Sequence, residues 1–253
     1  MNRVLRLVLR DLITFNRSLL VVQFLLPLFL LFVAGFAFKS LIPPFVNGNM
    51  KVSYQQFLGV GLIGLTAMNG SLLAGTLLWT DKRHSMYEQI LLGPFSRSDY
   101  ALSKVFSSTL IGLIGALIVA SLSYLLIGGF LLTVDGLLIA IAVIVLDAIL
   151  FGSIAFIIAS FVRSLEAFEG IFNFLLIFLT FVSSLLYPLN TLPGALKYVV
   201  LVNPLTYAID ALRFALLGMN SGYLIIEILL LSAETIVVLI LAFLSINRHS
   251  SAD

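Results

Sequence analysis

Apolar residues gather in six long runs, and no other feature constrains the chain as much. By hydropathy they cover roughly Leu19–Phe38, Phe57–Trp79, Val105–Ile127, Phe130–Phe161, Phe168–Tyr187 and Tyr223–Ile246. A single helix crosses a bilayer core with about 20 apolar residues. Hydrophobic residues make up 61% of the chain, charged residues only 10%, and mean hydropathy is +1.16. A soluble domain carries about 25% charged residues and has no means of hiding this much apolar surface. The expected fold is an all-α membrane protein with six transmembrane helices. The fourth run exceeds what a bilayer needs, so it is tilted, kinked or extended beyond the membrane.

Charge sets the expected orientation. Arg3, Arg6, Arg10, Arg17, Lys82, Arg83, Arg97, Lys104, Arg163 and Arg248 fall on one side of the six spans. Lys39, Lys51, Lys197 and Arg213 fall on the other. The positive-inside rule puts both termini in the cytoplasm of a multi-pass protein of the cell membrane. The first run is too long for a cleaved signal peptide, and an amphipathic segment precedes it. A net charge of +2 implies no nucleic-acid partner. The chain has no cysteine, which removes disulfides and thiolate metal sites. His84 and His249 lie far apart in polar flanks and make no metal site.

Two devices are expected on the cytoplasmic side. Arg3, Arg6, Arg10 and Arg17 fall within about 60° of one another on a helix, with Leu5, Val8, Leu9, Leu12 and Phe15 opposite. This reads as an amphipathic helix lying in the membrane interface with its cationic face toward anionic head groups. Between spans 2 and 3, Thr80 or Asp81 is placed to N-cap a short helix that Gly93-Pro94 stops. Met86, Tyr87, Ile90 and Leu91 give it an apolar face, and Ser96 or Ser98 is placed to cap the next helix.

Within the membrane, Ala67, Ser71 and Gly75 of span 2 and Gly112, Ala116 and Ala120 of span 3 have the spacing of close helix contacts. Thr66, Asn69, Thr76 and Thr80 share one face of span 2 within about 80°. On span 5, Asn173, Thr180 and Ser184 form a polar stripe beside an aromatic one of Phe174, Phe178 and Phe181. Such paired stripes suit the wall of a cavity for amphipathic substrates, against a plain reading of interhelical hydrogen bonds and lipid-facing phenylalanine. Asp147, Glu227 and Glu234 lie in apolar spans, where acidic residues are functional suspects. Asp135 is expected near the outer surface, and Glu166 and Glu169 at the cytoplasmic entry of span 5.

Phe181–Gly218 is strongly apolar, yet Pro188, Pro193 and Pro204 cut it into pieces too short to span. Broken backbone at membrane depth persists only where protein buries it or a water-filled cavity borders it. Asn203 at N-cap with Pro204 at N1 starts a short helix, Gly218 ends it, and Asp210 and Arg213 pair at i, i+3. Re-entrant or short outer helices between spans 5 and 6 are therefore expected.

These residues carry a resemblance. The phrase filled by Pro188, Leu192, Pro193, Asn203, Pro204, Leu205, Thr206, Tyr207, Asp210 and Arg213 resembles the C-terminal signature of ABC-2 type transporter permeases. Leu91, Leu92, Pro94, Ser96, Arg97 and Lys104 resemble the family's loop motif with one residue dropped, and Glu166-Ala167 with Asn173 a third motif. The loop departs at His84–Glu88, where only Glu88 of the usual G-T-L-E survives. The resemblance covers nearly the whole chain and implies one transmembrane domain over 1–253. In it, 1–18 is a connecting helix, 81–92 a coupling helix and 188–218 an outer hairpin. It implies that Asp81, Arg83, Met86, Tyr87, Glu88, Ile90, Leu91 and Arg97 couple to a dimer of ABC ATPase subunits. It implies a substrate path at the dimer centre along spans 1, 2 and 5, with which the stripes of Thr66, Asn69, Thr76, Asn173, Phe174, Phe178, Thr180, Phe181 and Ser184 agree. The outer gate then comprises Pro188, Pro193, Asn203, Pro204, Tyr207, Asp210 and Arg213. A second permease copy or paralogue and membrane lipid complete the implied partners.

The chain has no G-x-x-x-x-G-K-S/T loop, so it carries no cofactor itself and ATP-Mg belongs on the partner. It also lacks HExxH, G-x-S-x-G and suitably paired intramembrane aspartates, so it is not expected to be an enzyme by itself. The leading expectation is the permease of an ABC exporter of drugs or other amphipathic, lipid-like molecules. A polysaccharide or lipid-linked glycan exporter is the alternative with the same machinery. A proton-coupled carrier using Asp147, Glu227 or Glu234 is the alternative of a different class.

Overall fold

The computed structural model describes residues 3–15, 17–38, 42–47, 50–73, 75–162, 164–219 and 222–248. Lys39, Arg163 and His249 lie outside the described residues, as do the side chains of Arg17, Asn190 and Arg248. The helices are α1 (Arg3–Thr14), α2 (Arg17–Ala37), α3 (Tyr54–Leu73), α4 (Gly75–Arg83), α5 (Met86–Leu92), α6 (Arg97–Ile127), α7 (Val134–Phe161), α8 (Leu165–Phe181), α9 (Gly194–Leu201), α10 (Pro204–Leu217) and α11 (Leu224–Arg248). The all-α expectation omitted a small antiparallel hairpin of β1 (Phe45–Asn47) and β2 (Met50–Val52), in which Val46 faces Lys51.

Among the described residues four helices are long and apolar enough to cross a membrane: Tyr54–Arg83, Arg97–Ile127, Val134–Phe161 and Leu224–Ser245. Helices α9 and α10 are bent by 87° to each other and make a fifth only if counted as one broken span. The chain is thus a multi-pass helical membrane protein. The expected count of six additionally needs α2, which contains Pro27, and the 17-residue α8.

The α3–α4 span is the axis of the bundle. It is 94% buried over its most apolar window, packed by α2, α6, α7 and α10. Small residues make this possible. A Cβ on Gly112 of α6 would stand 2.1 Å from the Ser71 hydroxyl and 2.7 Å from the Ala67 carbonyl oxygen. The predicted close contact of spans 2 and 3 is therefore present, and Ser71 donates to the Ser108 carbonyl at 3.2 Å. Gly75 instead meets α7, where an added Cβ would lie 2.7 Å from that of Ala155.

Helix α7 begins at Val134 rather than Phe130. The Leu131 amide donates to the Leu216 carbonyl at 2.7 Å, Gly128 and Gly129 take φ of 68° and 76°, and the Thr133 side chain caps the helix at Gly136. One end of the bundle carries α1 and α5. The opposite end carries the hairpin, a single 3-10 turn at Leu189–Thr191, and the α9–α10 bend.

Candidate functional site: a charged junction at one end and a polar knot at the other

Helix α1 meets α6 through Leu7, Val8, Asp11 and Phe15, all buried. Leu5 and Leu9, expected on its apolar face, are 47% and 41% exposed. The face is rotated because Asp11 goes inside. It accepts from the Lys104 ammonium at 2.9 Å, from the Ser107 hydroxyl at 3.0 Å and from Arg10 at 2.6 Å. Asp81 of α4 completes the group: Lys104 and Arg10 each lie 2.6 Å from its Oδ2, and the Tyr100 hydroxyl donates to it at 2.9 Å. Two carboxylates and two cations thus balance where water is largely excluded, the condition under which buried charge is tolerated. Burial works against the charge of Arg10, but the hydrogen bonds and charges of Asp11 and Asp81 outweigh it and raise its pKa. Of the expected cationic face, Arg3 and Arg6 are exposed, whereas Arg10 is turned into this junction.

The cap expected at Thr80 or Asp81 does not form. Both residues lie inside α4, because Asp81 is held by the junction and the helix continues to Arg83. The short helix α5 starts at Met86 after Ser85, which takes φ 52° and makes no side-chain cap. Ser96 caps α6 through a reciprocal capping box with Asp99, as one of the two expected serines. Tyr87 and Ile90 pack α5 onto a cluster containing Leu78, Tyr100, Phe156 and Phe168, with the Tyr87 and Tyr100 rings 5.0 Å apart. Burial pushes the Tyr87 phenol above its ordinary pKa. Leu91 is half-buried; Met86, Glu88 and Leu92 stay exposed, the last at 88%. Arg97 is exposed, and Arg83, also exposed, lies 5.7 Å over the Trp79 ring. Of the eight residues expected to couple to an ATPase, Asp81 faces inward, held by Lys104, Arg10 and Tyr100.

The expected cavity stripes separate. Thr66 is fully buried and donates to the Leu62 carbonyl, Asn69 is buried, Thr180 donates to the Leu176 carbonyl, and Ser184 donates to Asp210 at 2.8 Å. None of these lines an open wall of this chain. Phe174, Phe178 and Phe181 lie on the outside of the bundle, 65%, 44% and 59% exposed. Thr76 and Asn173 do line one cleft, of about 490 Å³, between α1, α4 and α8. Helical periodicity places Thr66 and Thr76 on one face, but neighbouring helices cover only the first.

At the opposite end the broken backbone is tied by side chains. Helix α8 stops at Phe181, and the carbonyls beyond it have no next turn to bond. Arg213 supplies donors to the Ser184 carbonyl at 2.8 Å, the Leu185 carbonyl at 3.0 Å and the Phe57 carbonyl at 3.3 Å. Its guanidinium stacks 3.4 Å over the Phe57 ring and pairs with Asp210 at 3.1 Å. The Asn203 amide donates to the Leu179 and Val182 carbonyls at 2.8 and 2.6 Å, while its oxygen caps α10 at Leu205. Pro204 occupies the first turn of α10, Gly218 ends it with φ 66°, and Tyr207 donates to the Leu201 carbonyl. Pro188 and Pro193 precede the 3-10 turn and α9. Asp210, Arg213, Tyr207 and Pro188 border a cavity of about 900 Å³ that reaches Phe45 and Glu227.

The sequence reading missed Asp11, Tyr100 and Ser107, and placed Lys104 among the loop charges. A signal existed: Asp11 is the single acid on the Val4–Leu7–Val8–Asp11–Phe15 stripe. Asp147 is fully buried in mid-α7, and neither of its oxygens has a partner among the described residues.

The model of the ABC-2 type transporter family matches residues 3–217. Nodulation protein J of Rhizobium meliloti (strain 1021) is 30% identical over 174 residues, 66% of this chain and 63% of that protein. The putative transport permease ycf38 of Cyanophora paradoxa is 26% identical over 189 residues, 74% of this chain and 64% of that protein. The match thus spans a little under two thirds of the length of either relative. With six-sevenths of its length inside the family model, from the α1 junction to the end of α10, the chain belongs to the ABC-2 type transporter family.

Proposed function

We propose that the chain is the permease subunit of an ATP-driven exporter, working with a separate ATPase dimer and a second permease copy or paralogue. The observation that carries this reading is the short helix α5. It presents Met86, Glu88 and Leu92 outward and is backed through Tyr87 and Tyr100 by the ion-paired junction of α1, α4 and α6. A push on such a helix reaches three helices without crossing soft structure. In this reading α2 and α8 complete six spans, both termini are cytoplasmic, the membrane is the cell membrane, and α1 is the connecting helix. ATP-driven closure of the partner moves α5, the spans rock, and the Asn203–Arg213 knot holds the outer hairpin while release occurs beside it. The cargo is an amphipathic small molecule or lipid-like compound, met along Thr76, Asn173 and the exposed phenylalanines of α8.

The test is affinity purification of the tagged chain from its own membranes, with the co-purifying proteins identified by mass spectrometry. An ABC ATPase is expected, and its recovery is expected to fall when Glu88 and Met86 are both replaced by Ala. Transport by reconstituted chain without any ATPase, collapsing with a protonophore, would replace this reading with a proton-coupled carrier.

A further inference from the structure

The cleft between α1, α4 and α8 is rich in hydrogen-bond acceptors. Thr14 donates its hydroxyl proton to the Arg10 carbonyl at 2.9 Å, Thr76 to that of Leu73 and Thr80 to that of Thr76, both at 2.8 Å. A hydroxyl whose one proton is engaged offers only lone pairs to a guest. His84 Nδ1 lies 2.9 Å from the Thr80 carbonyl oxygen, so Nδ1 carries a proton and donates there. Glu169 adds a carboxylate that forms no ion pair among the described residues. Trp79, Phe168 and Phe172 add ring faces beside aliphatic Leu73, Leu77 and Leu165, and Asn173 adds an amide. Acceptors and ring faces thus converge on about 490 Å³, within the range of a small-molecule site.

We infer that this cleft binds the head group of an amphiphile bearing a primary ammonium. The inference deepens the proposed transport role by naming the cargo's charged end. An N–H-rich cation fills the free lone pairs of Thr14, Thr76 and Thr80, with the Asn173 side-chain carbonyl as a further acceptor; the Asn173 amide N–H groups and Arg83 are donors on the same lining. Its charge meets Glu169, and ring faces attract cations. The apolar tail continues onto the exposed side of α8 at Phe174 and Phe178, whose rings stack at 5.8 Å. Arg83 is the opposing element: its guanidinium stands on the same lining and covers a face of Trp79.

Trp79 is the sole tryptophan of the chain, so its fluorescence reports this cleft. The full-length chain in nanodiscs is titrated with octylammonium, octyltrimethylammonium, octanoate and octyl glucoside. Octylammonium is expected to shift Trp79 emission at concentrations at least roughly tenfold below the other three, the scale of one charge-assisted hydrogen bond. Glu169→Gln is expected to weaken octylammonium binding roughly tenfold and Arg83→Gln to tighten it. Both positions are exposed, and circular dichroism checks that the variants fold. Equal binding of octanoate, a response to octyl glucoside alone, or an unchanged affinity in Glu169→Gln overturns the inference. Equal binding of the trimethyl compound overturns the hydrogen-bonding part and with it the primary ammonium. Because no ATPase is present, these failures leave the exporter reading standing, and a failure to co-purify an ATPase leaves the binding result intact.

Discussion

Replacing Lys104 with Met tests the junction directly. The wild-type group holds Arg10 and Lys104 against Asp11 and Asp81, a balance of zero. The substitution keeps the apolar stem but leaves one cation for two carboxylates. Arg10 already touches both at 2.6 Å, and its side chain is 24% exposed while that of Asp11 is 1%. No further cation reaches the junction among the described residues, so one buried negative charge goes uncompensated. Breaking a buried pair in this way costs about 3–5 kcal/mol. For a chain of this size that lowers the melting midpoint by roughly 10 °C. The assay is thermal unfolding in nanodiscs followed by Trp79 emission, two residues from Asp81 in sequence. Pairing Lys104→Met with Asp11→Asn restores charge balance and is expected to recover more than half of the loss, a positive coupling in the double-mutant cycle. A midpoint within error of wild type for Lys104→Met, or a double variant as unstable as the sum of the singles, would refute the reasoning.

Three other outcomes follow from particular contacts. Gly112→Val drives a branched side chain into Ser71 and the Ala67 carbonyl and is expected to cost about 1–3 kcal/mol or more, seen as loss of monodisperse protein on gel filtration. Asn203→Ala removes a helix cap and two carbonyl donors together; an increased rate of proteolytic cleavage near Val182–Tyr187 is expected, with a stability loss of about 2 kcal/mol or more. Asp147→Leu removes a buried carboxyl that has no described partner and is expected to raise the midpoint, whereas a loss of transport with intact folding would bring back the proton-coupled carrier.

The Gly112 crossing was legible in the sequence because small residues at i, i+4 spacing have one physical use in a membrane, the close approach of backbones. The knot at Asn203 and Arg213 was legible in part. Proline and asparagine declared a helix start, and Asp210 and Arg213 their pairing, because both are local. That Arg213 would serve three carbonyls from two other segments was not legible, since those acceptors lie 28 to 156 residues away in sequence. The stripes failed for the same reason in reverse. Periodicity says which residues share a face of α3 or α8, but only the packing of α10 and α6 decides whether that face is open or covered.

By itself, then, the sequence determined the solvent, the long apolar helices and the helix start at Asn203-Pro204. Each follows from transfer free energy and backbone satisfaction within a short window of residues. Tertiary structure alone decided the fate of the charges. Asp11, Asp81 and Lys104 look like ordinary surface ions when read one at a time. A buried charge is stable only beside its opposite, and the partners were brought together from three helices by the fold.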